Sequence, residues 1–356
     1  MRLKILMATI ISLVLASPAR ADFVADCMKK SGAEKIEACT AAIQQYPKNA
    51  RAYAERGDIF RLRGETDRAI ADFDKAIELD PAFAAAYTRR GDAYRSKRAF
   101  DRAIADLDKA IEHDPKDFMA YTVRGESYSL KGVFDRAIPD FDRGIAISPK
   151  FGRIYSSRGE AYLRSGGYDQ AIHDLDTAIE LDPADAISLS LRGEAYLHKD
   201  DTGHAIADLN QAIGLDPTTA GFFEIRGFAY AAVKSYDRAI ADFDSAIGLD
   251  PVFSQAYGHR GDTYRAMQDN DRAIVELSKA IQLDPDFAGA FASRGLAQSA
   301  KGDTARAILD FDKAIELEPD NDFYYRFRSD AYTARGDTAR AKADLAKANA
   351  LQPRLP

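Results

Sequence analysis

A proline recurs every 34 residues along almost the whole of this 356-residue chain. The prolines with this spacing are Pro47, Pro81, Pro115, Pro149, Pro183, Pro217, Pro251, Pro285, Pro319 and Pro353. A fixed period of this length is typical of arrays in which one short structural element is repeated and each copy contacts only its neighbours. The chain is therefore predicted to be a linear stack of similar repeats and not a set of unrelated globular domains.

Within each repeat the small and aromatic residues have a helical spacing. In the repeat that begins at Ala50, the residues predicted to face inward from two successive helices are Tyr53, Gly57 and Phe60, followed by Ala69, Phe73 and Ala76. Pro81 ends the second helix, because its ring disfavours helical geometry at the preceding residue and it has no N–H to donate. Each repeat is therefore predicted to be a helical hairpin, in which Gly57 and Ala69 allow close approach and Phe73 fills the remaining gap.

This order of aromatic, glycine, alanine and proline residues at a 34-residue period resembles the tetratricopeptide repeat family. The resemblance implies an all-α fold, a right-handed α-solenoid (superhelix) of stacked 34-residue helix-turn-helix repeats, with a concave groove that binds peptides or proteins. The predicted organisation is a shortened N-terminal repeat, 22–49, and nine repeats, 50–83, 84–117, 118–151, 152–185, 186–219, 220–253, 254–287, 288–321 and 322–355. One departure from the family is that the seventh position, often leucine, is arginine in all nine repeats.

The first 21 residues have the pattern of a secretory signal peptide. Arg2 and Lys4 precede an apolar run, 5–15, and an A-x-A sequence ends at Ala21. The run of eleven residues is shorter than the roughly 20 that span a bilayer. We therefore expect residues 1–21 to be removed after Ala21, which predicts an exported bacterial protein of this repeat type, periplasmic or secreted.

Two cysteines, Cys27 and Cys39, lie just after the predicted cleavage point and 12 residues apart. If one short helix ends near Gly32 and another begins near Glu34, the two cysteines face each other across a helical hairpin. An oxidising compartment would then allow a disulfide. A metal site at these cysteines is disfavoured, because no further ligands lie nearby in the sequence.

The second helix of the first full repeat carries a D-x-D motif, Asp72 and Asp74, which metal-dependent enzymes also use. The motif recurs in six repeats, and carboxylates two residues apart on a helix point in different directions, so they cannot jointly hold one ion. An EF-hand is excluded because the required glycine and downstream glutamate are missing. The motif is therefore predicted to be a solvated outer face, with Arg68 paired to Asp72.

The invariant arginine of the seventh position, from Arg56 to Arg328, allows two interpretations. It could be a clamp for a ligand. It could also be an internal pairing partner, because its aliphatic stem can cover core while the guanidinium reaches an aspartate of the second helix. We favour the second interpretation, since a residue next to the tightly packed glycine of every repeat serves the scaffold.

The positions that vary between repeats are the ones predicted to choose a partner. The resemblance implies that the second, fifth, ninth, twelfth and thirteenth positions of the first helix face the groove, and the candidates there are Asp58, Arg61, Asp92, Arg95, Glu126, Glu160, Leu163, Ile187, Glu194, Leu197 and Phe228. The hypothesis is that the groove takes an extended or helical segment of another protein, with apolar anchors in the middle and basic residues against the acidic positions. The alternative is that the apolar residues simply pack between adjacent helices.

Other function classes have little support in the sequence. A formal net charge of −7 argues against nucleic acid and against a polybasic membrane surface. The five histidines fall at different repeat positions, and no catalytic, cofactor or metal pattern includes them. The protein is therefore predicted to be a non-enzymatic interaction scaffold for a protein or peptide, with no membrane segment in the mature chain. The alternative function is a self-assembling structural or envelope-assembly factor, a homo-oligomer formed through the edges of the repeats.

Overall fold

The structure, a computed structural model, describes residues 23–351, and these residues form 20 α-helices and no strand. The predicted signal peptide lies outside the described residues. The helices are α1 (Phe23–Lys29), α2 (Gly32–Gln45), α3 (Ala50–Leu62), α4 (Thr66–Leu79), α5 (Ala84–Ser96), α6 (Phe100–His113), α7 (Phe118–Leu130), α8 (Phe134–Ile147), α9 (Gly152–Arg164), α10 (Tyr168–Leu181), α11 (Ala186–His198), α12 (Thr202–Leu215), α13 (Ala220–Ala232), α14 (Tyr236–Leu249), α15 (Ser254–Ala266), α16 (Asn270–Leu283), α17 (Ala288–Ala300), α18 (Thr304–Leu317), α19 (Asp322–Ala334) and α20 (Thr338–Leu351).

The described residues divide into two compact units, an N-terminal unit that ends at Pro149 and a C-terminal unit that begins at Lys150. Within each unit, consecutive helices pair as hairpins, and each hairpin packs on the next one along the chain. The prediction of an all-α solenoid of stacked 34-residue hairpins is confirmed. No helix between residues 23 and 351 is both long enough and apolar enough to cross a bilayer.

The two helices of a hairpin meet where a glycine of the first faces a large apolar side chain of the second. A Cβ atom built on Gly57 would lie 2.9 Å from Cε1 of Phe73, whose side chain is fully buried. The same contact is 2.7 Å between Gly125 and Phe141, so any larger residue at these glycines would push the helices apart. This is the close approach that the sequence predicts.

The second helices end as the proline spacing requires. Asp80 follows the last residue of α4 with an extended backbone, φ −139° and ψ 91°, as expected before a proline. Its amide still donates to the carbonyl of Ala76 at 2.9 Å, and its carboxylate accepts from the amide of Ala82 at 3.1 Å. The turn around Pro81 therefore satisfies its own polar groups, so the next helix can begin after only a few residues.

In every full repeat the invariant arginine pairs with the carboxylate at one position of the second helix, which is the first carboxylate of the acidic motif wherever that motif occurs. Arg56 donates through Nε and Nη2 to the two carboxylate oxygens of Asp72, both at 2.8 Å. The corresponding pairs are Arg90–Asp106, Arg124–Asp140, Arg158–Asp174, Arg192–Asp208, Arg226–Asp242, Arg260–Glu276, Arg294–Asp310 and Arg328–Asp344. The interpretation of the arginine as an internal pairing partner is confirmed.

The prediction that the acidic motif lies on a solvated outer face is wrong for its first aspartate. Asp72 is only 7% exposed, because the paired guanidinium replaces water around its carboxylate. The second aspartate, Asp74, stays exposed and accepts from Arg90 of the next repeat at 2.6 Å. The expected pair of Arg68 with Asp72 is also wrong. Arg68 binds Glu65 and lies over the ring of Phe60.

The N-terminal hairpin of α1 and α2 is closed by a disulfide between Cys27 and Cys39. Both cysteines are fully buried, and their Cα atoms lie 4.5 Å apart. They belong to a small core that also contains Ala42 and Ala52, the latter on α3. The disulfide therefore fixes the short hairpin at the point where it packs on the first full repeat.

Candidate functional site

In the N-terminal unit, the predicted groove residues form a row of ion pairs along the first helices. Arg61 lies 2.8 Å from Asp58 on its own helix and 2.8 Å from Asp92 on α5. Arg95 in turn lies 2.6 Å from Asp92 and 3.4 Å from Glu126 on α7. Asp58 and Asp92 are therefore already paired with arginines three positions further along their own helices, and Glu126 is paired with the arginine of the preceding repeat.

A cleft of about 250 Å³ lies on this row. It is called the α3–α7 cleft, and its lining includes Asp58, Arg61, Thr88, Asp92, Asp117 and Met119. The polar groups at its edge also bind each other, since the hydroxyl of Thr88 donates to Asp117 at 2.6 Å. The cleft is small and internally satisfied, so it offers a ligand few unpaired groups.

In the C-terminal unit, three of the predicted groove residues are the apolar Leu163, Ile187 and Phe228, and the structure separates them into two groups. Leu163 is only 6% exposed and packs against Leu175 and Ala195, so it belongs to the core, as the alternative interpretation states. Ile187 is 63% exposed and Phe228 is 46% exposed. Phe228 and Ile187 therefore lie at the surface, whereas Leu163 lies in the core.

A larger pocket, of about 620 Å³, lies on the first helices of the C-terminal unit. It is called the α11–α15 pocket, and its lining includes Glu194, Leu197, His198, Glu224, Phe228 and His259. Three predicted residues, Glu194, Leu197 and Phe228, come together here. Glu160 and Ile187 do not line it. Its wall combines apolar side chains with carboxylates, which is the composition expected of a pocket that binds a segment with apolar and basic residues.

Sequence reasoning missed two residues of this pocket, Glu224 and His259. Nδ1 of His259 lies 2.5 Å from Oε1 of Glu224, which is 9% exposed. Burial opposes the charge on His259, but the hydrogen bond and charge of Glu224 outweigh it and raise the pKa of the imidazole. The ring of His259 also packs 5.2 Å from that of Phe228. The available signal was that the fifth position holds a carboxylate in this repeat alone.

Glu194 is the ninth-position carboxylate of the pocket, and Leu197 stands three residues later, where Asp58 and Asp92 have an arginine. Burial raises the pKa of Glu194. The positive charge of His198 opposes this shift, while the negative charges of Glu224 and Glu160 add to it. The pocket therefore concentrates negative charge beside apolar surface.

Metal binding has no geometric support in residues 23–351, where no group of three or more histidine, cysteine, aspartate or glutamate side chains is placed to hold an ion. The first aspartate of each repeated motif forms a salt bridge with an arginine, as described above.

Comparisons with protein families find the same repeat along the chain. A family described as "TPR repeat" matches residues 57–97 and 261–302. Families described as "Tetratricopeptide repeat" match residues 157–220, 84–117 and 288–321. Together the matched segments cover more than half of the chain. No curated protein matches the sequence.

Solved structures with a similar fold include the anaphase-promoting complex hetero-tetramer Cut9–Hcn1, with a TM-score of 0.63 at 17% identity. That match covers 84% of this chain, which spans 59% of the matched chain. A monomeric mutant of IFIT1 with Gppp-AAAA matches with a TM-score of 0.59 at 16% identity over 90% of this chain and 86% of its own. PilW, a type IV pilus biogenesis factor, matches with a TM-score of 0.52 at 20% identity over 56% of this chain and 92% of its own.

These identities are low, so the three likenesses concern the fold. The family matches and the stacked 34-residue hairpins agree on what the repeats are. The chain belongs to the tetratricopeptide repeat family.

Proposed function

We propose that the protein is a non-enzymatic scaffold that binds a segment of another protein in the α11–α15 pocket. The observation that carries this proposal is the pocket itself, about 620 Å³ with Phe228 and Leu197 in its wall. Phe228 leaves 46% of its surface in water. Covering an aromatic side chain of this kind is a main source of binding free energy at protein interfaces.

The contrast with the rest of the repeat explains why this position serves binding. Scaffold positions, such as Gly227 and Phe243, are buried against each other and recur along the chain. Phe228 directly follows Gly227, yet it points into the pocket and contributes nothing to that contact. The hairpin therefore does not require an aromatic side chain at position 228, and its exposed ring is available for binding.

We also propose that the protein acts in the cell envelope or outside the cell. The support is the signal-peptide pattern of residues 1–21 and the buried disulfide between Cys27 and Cys39. Disulfides persist in oxidising compartments and are rare in the reducing cytosol.

The proposal is tested with the double variant Leu197→Asp and Phe228→Asp. Both side chains lie at the surface of the pocket, so the helical circular dichroism of the full chain should be unchanged. Proteins captured from an envelope extract by the wild type and by the variant are compared by quantitative mass spectrometry. Partners that depend on the pocket should be lost with the variant.

The matched control is Leu309→Asp, which places the same charge at a leucine that is 67% exposed on the second helix α18. This control should capture the same partners as the wild type. If the pocket variant also captures them at the same level, the α11–α15 pocket is not the binding site.

A further inference from the structure

The α11–α15 pocket differs from the α3–α7 cleft by an acid that has no arginine three residues later. At the ninth position of several first helices, an acid is followed three residues later by an arginine that binds it. Asp58 is paired with Arg61 in this way, and Asp92 with Arg95. In α11 the acid is Glu194 and the residue three positions later is Leu197. The helix therefore presents the carboxylate of Glu194 without the guanidinium that pairs with Asp58 and Asp92 in the α3–α7 cleft.

The groups that surround Glu194 make its charge costly. It faces Glu160 on α9, His198 on its own helix α11, and Glu224 on α13, while His259 on α15 is hydrogen-bonded to Glu224. Two of these neighbours are acids, and burial adds to their effect on Glu194. A cation that entered the pocket would relieve this repulsion, so the gain from pairing would be larger here than at an exposed acid.

The aromatic ring beside Glu194 favours one kind of cation. Within the described residues, guanidinium groups lie over aromatic rings at many repeats, for example Arg272 over Tyr264 at 4.4 Å and Arg340 over Tyr332 at 4.7 Å. Phe228 has one such ring exposed in the pocket. A planar guanidinium can stack on this ring and bind a carboxylate through paired N–H groups, whereas an ammonium cannot do both as well.

Building on the proposed scaffold function, we propose that the α11–α15 pocket binds an arginine of the partner segment, with an apolar residue of the same segment beside it. The guanidinium pairs with Glu194 and lies against Phe228. The apolar neighbour covers Leu197 and the remaining surface of the pocket. The partner segment is thus basic and apolar, and the pocket supplies the position that an internal arginine fills in the N-terminal unit.

The test uses a displayed library of random peptides of about 12 residues, long enough to cross the pocket in an extended conformation. Peptides are selected on the full wild-type chain, and the binders are synthesised and measured by fluorescence anisotropy. We expect enrichment of arginine within two or three residues of leucine, isoleucine or phenylalanine. Replacing that arginine by citrulline, which keeps the shape and removes the charge, should weaken binding about ten-fold or more, and lysine should give a smaller loss.

On the protein side, Glu194→Gln should weaken the same peptides about ten-fold or more. The matched control is Asp330→Asn, the same change at the ninth position of α19, which should leave affinity unchanged. The thermal midpoint of Glu194→Gln should not fall, because the change removes a partly buried charge that is repelled by Glu160 and Glu224. A purely structural Glu194 would instead lower both stability and affinity.

The outcomes separate this inference from the proposed function. If the peptides bind Phe228→Asp poorly but Glu194→Gln normally, the pocket binds peptides and the arginine preference is wrong. If selection yields no peptide, or yields peptides that bind wild type, Phe228→Asp and Glu194→Gln equally, both the pocket and its preference are wrong. Affinity that does not fall with rising salt would also contradict the arginine preference, since an ion pair is screened.

Discussion

The α3–α7 cleft and the α11–α15 pocket occupy the same positions of the repeat and differ in what fills them. In the cleft, Arg61 and Arg95 bind the acids around them, and the surface is closed by its own charges. In the pocket, Leu197 replaces the arginine, and Phe228 replaces the acid of the next repeat. Both arrangements are compatible with the hairpin, whose contact between helices is made by the glycine and the large apolar residue at other positions, such as Gly57 with Phe73 and Gly227 with Phe243. The residues that would contact a partner can therefore differ between repeats while the contact between the helices stays the same.

The largest expected effect is on the free energy of unfolding, and it tests the contact between glycine and a buried ring that the hairpins of both units share. Phe73→Ala in the N-terminal unit and Phe243→Ala in the C-terminal unit each remove a fully buried ring that faces a glycine. Each should lower the free energy of unfolding of its own repeats by about 3 to 5 kcal/mol. Amide hydrogen exchange should show faster exchange in α3–α4 for the first variant and in α13–α14 for the second. Only Phe243→Ala should also weaken peptide binding, since Phe243 lies 6.1 Å from the ring of His259. Equal protection in wild type and variants would contradict the common core.

A smaller effect is expected from the buried ion pairs. In Asp310→Asn, Arg294 loses its carboxylate partner and keeps only uncharged acceptors, the hydroxyl of Ser278 and the introduced amide oxygen. In the matched variant Asp106→Asn, Arg90 keeps the carboxylate of Asp74. Because a partly buried charge without a counter-charge is destabilising, Asp310→Asn should cost about 2 to 3 kcal/mol of unfolding free energy and Asp106→Asn less. Urea denaturation measures the loss of unfolding free energy in the two variants. A larger loss in Asp106→Asn than in Asp310→Asn would show that Asp74 does not compensate for the lost carboxylate.

The pH dependence should distinguish the pocket from the cleft. Because Glu224 raises the pKa of His259 in the folded chain, the pair stabilises the fold fully below the unfolded pKa of histidine, about 6.5. That stability is lost as pH rises through the folded pKa. Following the imidazole protons by NMR, we expect the pKa of His259 to fall in Glu224→Gln and to stay unchanged in Asp330→Asn. An unchanged pKa in Glu224→Gln would mean that the pair does not form in solution.

The smallest effect on stability, and the sharpest on function, is expected from converting the pocket into a cleft. Leu197→Arg restores the acid and arginine spacing of the N-terminal unit, so the new guanidinium should pair with Glu194. A pair of this kind changes the unfolding free energy by about 1 kcal/mol or less. The arginine-containing peptides should bind at least about ten-fold more weakly, because their site is filled from within. Unchanged affinity would show that Glu194 and Leu197 do not choose the ligand.

Much of the scaffold could be predicted from the sequence because it depends on local rules that repeat. The proline period places the end of each second helix, and the spacing of Gly57 and Phe73 identifies the contact between helices. The pairing of the invariant arginine with an aspartate followed from the reach of its side chain. These features need only one repeat and its own helices.

The candidate site depends on packing between repeats, and the sequence alone could not resolve it. Leu163 and Leu197 share a repeat position, yet Leu163 packs against Ala195 of the next repeat, whereas Leu197 lines the pocket. Glu224 and His259 are 35 residues apart and meet only because their helices stack. Asp72 looked solvated because its exposure depends on a guanidinium 16 residues away.

The sequence by itself therefore determined the period, the helical hairpin, the family and the internal arginine pairs. Only the tertiary structure decided which acids are neutralised, which apolar residues stay at the surface, and where a histidine joins them. The physical reason is that helical spacing determines which face a residue lies on, whereas its burial and its ion-pair partners are set by the side chains that neighbouring helices bring against that face.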